Sequence, residues 1–235
     1  MRPPHSLFDI LIVKLDIRHF TSTLRGVQMS IQEVKDAWIF MDRNTTIWKH
    51  DFQAAQGVFQ PIHWVAMHRM QCMLRLTPHE GRIADIGCSY GILTLNVAWK
   101  KPRAEVIGID PDENRLNVGK QLLVEHPLKN CTFQKGTVDE PGIPSNSCSG
   151  VICTETLDHI KDIRPHLKQS VEKLMDLLIP GGRLILSIPA LEEMGKETAP
   201  LPPSPLSMKD FDFLTKRQED RNCPRWWHLF YVDKL

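Results

Sequence analysis

The sequence that decides the fold is R-I-A-D-I-G-C-S-Y-G at residues 82–91. It begins with residues typical of a buried strand, continues through an acid and two glycines, and runs directly into the apolar pattern of residues 92–99. This order predicts a strand, a tight turn and the start of a helix, which is the geometry of a nucleotide-binding crevice at the carboxyl end of a strand. Gly87 and Gly91 allow the backbone to turn and to approach a ligand closely, because neither carries a Cβ.

The residues of this loop favour a positively charged ligand over a pyrophosphate. A dinucleotide-binding loop has glycine at its first, third and sixth positions, and Gly87, Ser89 and Ile92 occupy them here, so two of the three glycines are missing. Asp85 supports the same conclusion, because a carboxylate beside the loop repels a phosphate and attracts a ligand that carries an ammonium and a sulfonium group.

Strands and helices alternate along the chain from residue 82 onward. The predicted strands are 82–86, 104–109, 131–135, 149–153 and 183–188, and the predicted helices are 91–99, 112–125 and 165–178. Alternation of this kind predicts an α/β fold: a Rossmann-like three-layer sandwich in which helices cover both faces of a mostly parallel sheet.

Residues 1–80 differ in character from the rest of the chain, and we expect them to form an N-terminal helical extension or lid in front of a domain at 81–235. A capping-box spacing at residues 30–33 predicts a helix over 31–41, and Pro61 favours the first turn of a second helix. Two interpretations of the tryptophans and histidines in this region stay open: they pack in a core, or they form a helical cover that excludes water from the substrate mouth.

Composition argues against several classes of protein. The chain has 235 residues, with 29 Lys and Arg against 28 Asp and Glu, so its formal net charge of +1 gives no global basic field for nucleic acid. Its six cysteines include no C-x-x-C pair and no zinc spacing, which indicates reduced thiols and a cytoplasmic location. We find no stretch with the length of a membrane span or the features of a signal peptide.

A second acid, Asp110, ends the next predicted strand, 25 residues after Asp85. A carboxylate at this strand end can accept hydrogen bonds from both hydroxyls of a ribose. Taken alone, Asp110 could also open a turn, because Asp-Pro is a common turn opener. The acid and the glycine loop together favour the ribose.

Four features resemble those of the class I S-adenosylmethionine-dependent methyltransferases, in the family's order. D-I-G-C-S-Y-G at 85–91 resembles the first motif, acid-x-Gly-x-Gly-x-Gly, with Ser89 in place of the middle glycine. Asp110 resembles the ribose-binding acid. V-I-C-T-E-T-L-D-H-I at 151–160 resembles the fourth-strand motif, and P-G-G-R-L-I-L-S-I-P at 180–189 resembles the turn into the fifth strand.

The resemblance implies S-adenosyl-L-methionine as the cofactor. It assigns Asp110 to the ribose and Pro111 or its neighbour to packing beside the adenine. For the adenine edge it favours Thr137 or Val138 over Asp139. The residues expected at the donor are Asp85, Gly87, Cys88, Ser89, Tyr90, Gly91, Asp110, Pro111, Thr137, Val138 and Thr154. An ordinary polar turn is the other interpretation of residues 134–139.

Glu155, Asp158 and His159 are the candidate catalytic residues. Their i, i+3, i+4 spacing places them on one face of a predicted helix at the mouth of the sheet. Three interpretations stay open. His159 is a base or an acceptor-positioning group; the segment is a structural helix cap; or, with His228, it forms a divalent-metal site resembling that of the small-RNA 3′-terminal 2′-O-methyltransferases. The first is favoured over the metal site.

We expect the usual closing antiparallel hairpin of the sheet to be incomplete, because residues 190–235 consist largely of a proline-rich loop and a charged stretch. A homodimer or another partner would then cover the sheet edge, which would risk edge pairing if it were exposed.

The leading hypothesis is an enzyme that transfers a methyl group by in-line displacement to a small-molecule, sugar or lipid-linked acceptor. One alternative is a metal-assisted RNA ribose 2′-O-methyltransferase, although the near-neutral charge is unfavourable for a nucleic-acid partner. The other is a non-catalytic partner subunit that keeps the methyltransferase fold.

Overall fold

The computed structural model describes residues 69–125, 127–189, 206–221 and 227–235. The helix predicted over 31–41, most of the tryptophans and histidines of the N-terminal extension, and the proline-rich loop lie outside the described residues. The helix predicted to begin near Pro61 is described from residue 69, where the chain is helical.

One seven-stranded sheet organises these residues. Its strands are β1 (Glu80–Ile86), β2 (Arg103–Asp110), β3 (Cys131–Lys135), β4 (Cys148–Thr154), β5 (Leu178–Pro189), β6 (Gln218–Glu219) and β7 (Trp227–Asp233). They lie in the order β3-β2-β1-β4-β5-β7-β6. Neighbours from β3 to β5 pair in parallel, and β7 pairs antiparallel with both β5 and β6. The strand order therefore reverses at β1, which lies between β2 and β4.

Helices cover both faces of the sheet. Residues 69–76 form the described part of α1, which is followed by α2 (Ile92–Lys100), α3 (Glu113–Glu125) and α4 (Leu167–Asp176). Buried residues of α1, α2 and α3 pack in one hydrophobic cluster, and those of α4 pack with Phe211 in a second cluster across the sheet. The predicted Rossmann-like three-layer sandwich is confirmed.

The central strands are buried on both sides because both faces are covered. In β1, Ile83 belongs to one hydrophobic cluster, and Ala84 and Ile86 belong to the other. Successive side chains of a strand point to opposite faces. Burial on both faces is typical of parallel strands, and it explains why β1 does not alternate between apolar and exposed residues.

The prediction of an incomplete closing hairpin is wrong, because β6 and β7 complete the sheet within this chain. β7 pairs with β5 over seven positions, from Arg183 opposite Asp233 to Pro189 opposite Trp227. Arg183 donates to both carboxylate oxygens of Asp233, at 2.6 and 3.0 Å, and its guanidinium lies 4.3 Å from the ring centroid of Tyr231. Since β6 has only two residues, it presents little unpaired edge, and the argument for a partner that covers an incomplete sheet no longer holds.

The cysteines within the described ranges are buried thiols. Cys72, Cys88, Cys131, Cys148 and Cys153 form no disulfide bonds. No helix in the described part of the chain is long and apolar enough to cross a membrane. The cytoplasmic location inferred from reduced thiols stays a prediction.

Candidate functional site

The loop between β1 and α2 is folded onto the end of β2. The backbone amides of Gly87 and Cys88 both donate to the carbonyl of Ile109, at 2.7 and 3.0 Å. The amide of Gly91 donates to the carbonyl of Cys88 at 2.9 Å, which closes a tight turn. Gly87 and Gly91 adopt left-handed φ angles of 76° and 78°, which glycine adopts without steric cost. The strand, turn and helix predicted over 82–99 are confirmed.

Gly87 also makes room for a side chain that the sequence motif does not contain. A Cβ added to Gly87 would overlap the side chain of Thr156, which follows β4. The hydroxyl of Thr156 lies 3.2 Å from the carbonyl oxygen of Ile86 and 3.1 Å from that of Thr154, so it joins the ends of β1 and β4. The loop is therefore packed against the segment after β4, which contains the candidate catalytic residues.

Phe133 of β3 occupies a space bounded by three glycines. A Cβ added to Gly91 would overlap its ring, and Cβ atoms added to Gly108 and Gly119 would lie 2.6 and 3.0 Å from it. These glycines belong to the loop, to β2 and to α3. One aromatic ring therefore holds three elements together beneath the loop, and Gly91 is required for packing as well as for the turn.

Asp110 directs its carboxylate to the loop. Ser89 donates its backbone amide to one carboxylate oxygen at 2.8 Å, and Asp112 donates its amide to the other at 2.9 Å. Each oxygen can accept a further hydrogen bond. Two adjacent hydroxyl donors, as on a ribose, match the acceptor positions that remain, so the residues at this strand end fit the predicted cofactor.

Ser89 keeps the backbone shape expected of the glycine that it replaces. It adopts a left-handed φ of 53°, which costs a residue with a side chain roughly 1–2 kcal/mol. Its hydroxyl accepts a hydrogen bond from the guanidinium of Arg115 in α3 at 3.4 Å. The same guanidinium lies 5.7 Å from the ring centroid of Tyr90 and 3.4 Å from the carboxylate of Asp112. These contacts hold the loop against the start of α3.

Asp85 lies below the surface of the loop. It is only 2% exposed, and the hydroxyl of Thr94 in α2 donates to its carboxylate at 2.6 Å. Burial, with the nearby charge of Asp110 adding to it, raises the pKa of Asp85 to about 7 from an ordinary value of 3.8. A cation bound beside the loop would favour the charged form. The contact of Asp85 with the donor stays a prediction.

The residues predicted beside the adenine lie at the ends of β2 and β3. Val138 is buried in the core, whereas Pro111 and Thr137 are exposed. The hydroxyl of Thr137 accepts the amide of Glu140 at 3.0 Å, which closes a polar turn. Both interpretations of this segment, an adenine contact and an ordinary turn, are compatible with this geometry.

The segment after β4 is not the α-helix that we predicted. Glu155 adopts a left-handed φ of 50°, and its amide donates to the carbonyl of Ser187 in β5 at 3.1 Å. A single turn of 3-10 helix comes next, over Leu157–His159. The prediction that Glu155, Asp158 and His159 share one face of an α-helix is wrong, because the left-handed residue precludes a helical repeat that includes it.

The three candidate catalytic side chains have different surroundings. Glu155 forms an ion pair with Arg69 of α1. Oδ1 of Asp158 is buried and has no hydrogen-bond partner among the described residues, and burial raises the pKa of this carboxyl group. His159 is exposed. Arg69 has no signal in the sequence motif, because it lies far from Glu155 along the chain.

A metal site gains no support from this geometry. Within the described ranges, no group of three or more His, Cys, Asp or Glu side chains is placed to hold a metal ion. The side chain of Glu155 pairs with Arg69, and His228 lies in β7 opposite Ile188.

Comparison with known proteins identifies the class to which this site belongs. Residues 83–182 match the sequence profile of the family described as Methyltransferase domain. The chain is 31% identical over 96 residues to a Schizosaccharomyces pombe protein described as an uncharacterized methyltransferase, a match that covers 38% of this chain and 34% of the relative. It is 29% identical over 140 residues to a demethylmenaquinone methyltransferase of Symbiobacterium thermophilum, with coverage of 57% and 53%.

A solved structure shows a similar fold. The crystal structure of a SAM-dependent methyltransferase from Aquifex aeolicus has a TM-score of 0.59 and 16% identity, and the match covers 71% of this chain and 89% of that chain.

The sheet order, the glycine loop, Asp110 and these matches agree: the chain contains a class I S-adenosylmethionine-dependent methyltransferase domain. The cofactor of this class is S-adenosyl-L-methionine, as predicted. The chain spans 34% and 53% of the lengths of the two curated relatives.

Proposed function

We propose that this protein transfers a methyl group from S-adenosyl-L-methionine to a small-molecule, sugar or lipid-linked acceptor by in-line displacement. The observation that carries the proposal is the contact between the glycine loop and Asp110 at the point where the strand order reverses, beside β1. Ligands of open α/β sheets bind in this crevice, outside the carboxyl ends of the strands.

The residues of the crevice bind and orient the donor. When bound, S-adenosyl-L-methionine supplies a methyl group on a positively charged sulfur. Asp110 has acceptor positions for the two ribose hydroxyls, and the turn from Gly87 to Gly91 permits close backbone approach. Asp85 in its charged form attracts a cation beside the loop. In-line transfer then requires the reacting atoms to be held at roughly 3–3.5 Å with water excluded, and no protein nucleophile takes part.

The segment after β4 forms the acceptor side of the site. Asp158 presents a buried carboxylate oxygen with no hydrogen-bond partner among the described residues, and an O–H or N–H group satisfies such an atom. A carboxyl group whose pKa is raised by burial is also suited to take up a proton as a hydroxyl oxygen is methylated. These properties favour an acceptor with a hydroxyl or amine group. The name of the Symbiobacterium relative gives demethylmenaquinone as that protein's acceptor, which supports a small molecule here.

Isothermal titration of the full chain with S-adenosyl-L-methionine tests donor binding. We expect Asp110→Ala to lower the affinity more than tenfold, because hydrogen bonds to a charged group contribute about 1.5–3 kcal/mol each. Asp110→Asn keeps the size of the side chain but loses its charge, and its affinity should lie between the two. Asp176→Ala, at the exposed end of α4, is the matched control and should bind like the natural chain. A loss of less than tenfold for Asp110→Ala would contradict the ribose role.

Release of S-adenosylhomocysteine, measured over a panel of hydroxyl, amine and carbon acceptors and RNA, tests the acceptor. We expect turnover with a small molecule that carries a hydroxyl or amine. Asp158→Asn should lower that turnover roughly 100-fold, as for loss of general-base catalysis, while donor affinity stays the same. Turnover on RNA alone that is abolished by a chelator would establish the metal-assisted alternative. Donor binding without turnover on any acceptor would instead favour a non-catalytic subunit.

A further inference from the structure

α1 is fixed on the sheet from which the site is built. Met70 and Met73 of this helix are buried and pack in the cluster that also contains Ile152 of β4. At the end of the helix, the carbonyl of Leu76 accepts a hydrogen bond from the guanidinium of Arg183 in β5 at 3.3 Å. The helix therefore holds its side chains at a defined position relative to β4 and β5.

Arg69, the first described residue of α1, reaches the segment after β4. Its side chain is 13% exposed and forms an ion pair with Glu155, whose side chain is 29% exposed. Both charges are largely removed from water, so the loss of one partner leaves the other in an unfavourable environment. The pair joins a helix that precedes the glycine loop to the turn that carries the candidate catalytic residues.

The conformation of Glu155 requires such contacts. Its left-handed φ of 50° costs roughly 1–2 kcal/mol, and strain of this kind persists where the surroundings fix it. The backbone amide of Glu155 is held by Ser187, and its side chain is held by Arg69. The direction of this turn sets the position of the short 3-10 helix over Leu157–His159.

We propose that Arg69 is a positioning residue of the acceptor site: through its ion pair with Glu155, it fixes the turn that places Asp158 and His159 at the mouth of the crevice. The role of this turn in catalysis rests on the proposed function. Whether the ion pair fixes the turn is a property of the chain without ligand, and it can be tested separately.

Hydrogen exchange of the full chain, measured over residues 154–160, tests the positioning. We expect Arg69→Met and Glu155→Gln each to raise the exchange rates of these amides about tenfold through local opening. The double variant should exchange no faster than the faster single variant, because each substitution removes the same ion pair. Arg69→Lys, which keeps the charge, should restore most of the protection. Arg75→Met is the matched control, since Arg75 lies on the same helix and pairs with Asp220 at 2.6 Å.

The pKa of Asp158, measured by carboxyl NMR, separates an electrostatic link from packing alone. Burial is the main cause that raises this pKa; His159 lowers it, Glu155 raises it and Arg69 lowers it. Arg69→Met should therefore move the pKa of Asp158 upward, whereas Glu155→Gln should move it downward. If Arg69 and Glu155 only filled space, neither substitution would change the pKa of Asp158.

Unchanged exchange over residues 154–160 in a folded Arg69→Met chain would overturn the proposal. If that variant does not fold, Glu155→Gln is used instead, because it leaves α1 intact. Hydrogen exchange over residues 154–160 and the pKa of Asp158 are then measured on that variant. Titration of the same samples with S-adenosyl-L-methionine keeps the two proposals apart. Failure of the natural chain to bind the donor would count against methyl transfer, while the exchange result would still decide the role of Arg69.

Discussion

Asp85 and Asp110 lie at the carboxyl ends of paired strands, yet their carboxylates have different partners. Asp110 accepts two backbone amides, from Ser89 and Asp112, whereas Asp85 accepts hydrogen bonds from the hydroxyl and the backbone amide of one residue, Thr94. The hydrogen bonds from Thr94 lower the pKa of Asp85, but they do not offset the loss of water around this buried carboxylate. The two acids are therefore suited to different tasks: Asp110 can hold neutral hydroxyls, and Asp85 can respond to the charge of a ligand.

We predict that Asp85→Asn removes a pH dependence of stability. The pKa of Asp85 is raised to about 7 in the folded chain from an ordinary 3.8. Between these values the folded chain keeps a proton that the unfolded chain releases, so the free energy of unfolding falls as pH rises. At 1.36 kcal/mol per pKa unit, this contribution is at most roughly 4 kcal/mol.

Urea unfolding of the natural chain and of Asp85→Asn, at about pH 4.5 and about pH 7.5, measures this contribution. The stability of the variant relative to the natural chain should rise between the two pH values. Titration of every other group is common to both chains, so it cancels in the comparison. An equal change in both chains would show that Asp85 is not the source.

The site residues that could be predicted from sequence are those with partners nearby in the motif. Gly87, Gly91 and both acids follow local spacing rules for a strand, a turn and the next strand end. Thr156 contacts Gly87 across 69 positions and Arg69 contacts Glu155 across 86, so no local pattern contains these pairs. The left-handed turn at Glu155 was missed for a related reason: its support comes from Arg69 and from β5.

At the scale of elements, the ring of Phe133 packs closely against the glycines around it. Substitutions at the ring and at one of these glycines should therefore affect stability jointly. A Cβ at Gly108 would lie 2.6 Å from that ring and 3.0 Å from Sγ of Cys88. We predict that Gly108→Ala lowers the free energy of unfolding by about 1–3 kcal/mol through overpacking. Gly108→Ala should lower the free energy of unfolding by less when Phe133 is also replaced by Leu, because the smaller side chain leaves room for the methyl group.

A double-mutant cycle by urea unfolding measures this coupling. We expect an interaction free energy of at least about 0.5 kcal/mol between the two positions. The double variant should lose less stability than the sum of the losses in the two single variants. Strict additivity would mean that β2 shifts to accommodate the methyl group without involving the ring.

The bounds of most elements follow the hydrophobic pattern, and the exceptions have physical reasons. β5 begins at Leu178, before the predicted start at 183, because residues 180–182 look like a turn but continue the strand past a register shift against β4. β6 has only two residues and is too short to produce any period in the sequence.

At the scale of the whole molecule, the two sides of the crevice arise differently from the sequence. The loop and the strand end of the proposed donor side lie within residues 85–112, so a local motif predicted both their fold and the cofactor class. The proposed acceptor side combines α1 with the turn after β4, which only the completed sheet brings together. This is why the sequence indicates a methyl donor much more firmly than a methyl acceptor.

The late position of β7 has a consequence for biosynthesis. β7 inserts between β5 and β6, and it adds Leu229 to one hydrophobic cluster and Phe230 to the other. While the polypeptide is emerging from the ribosome, β5 is without this neighbour and both cores lack part of their lining. A nascent chain with an unpaired edge and uncovered apolar surface is prone to aggregate. Residues 85–112, which contain the glycine loop and Asp110, are thus translated early. The sheet and both hydrophobic clusters are complete only after residues 227–233 have been translated.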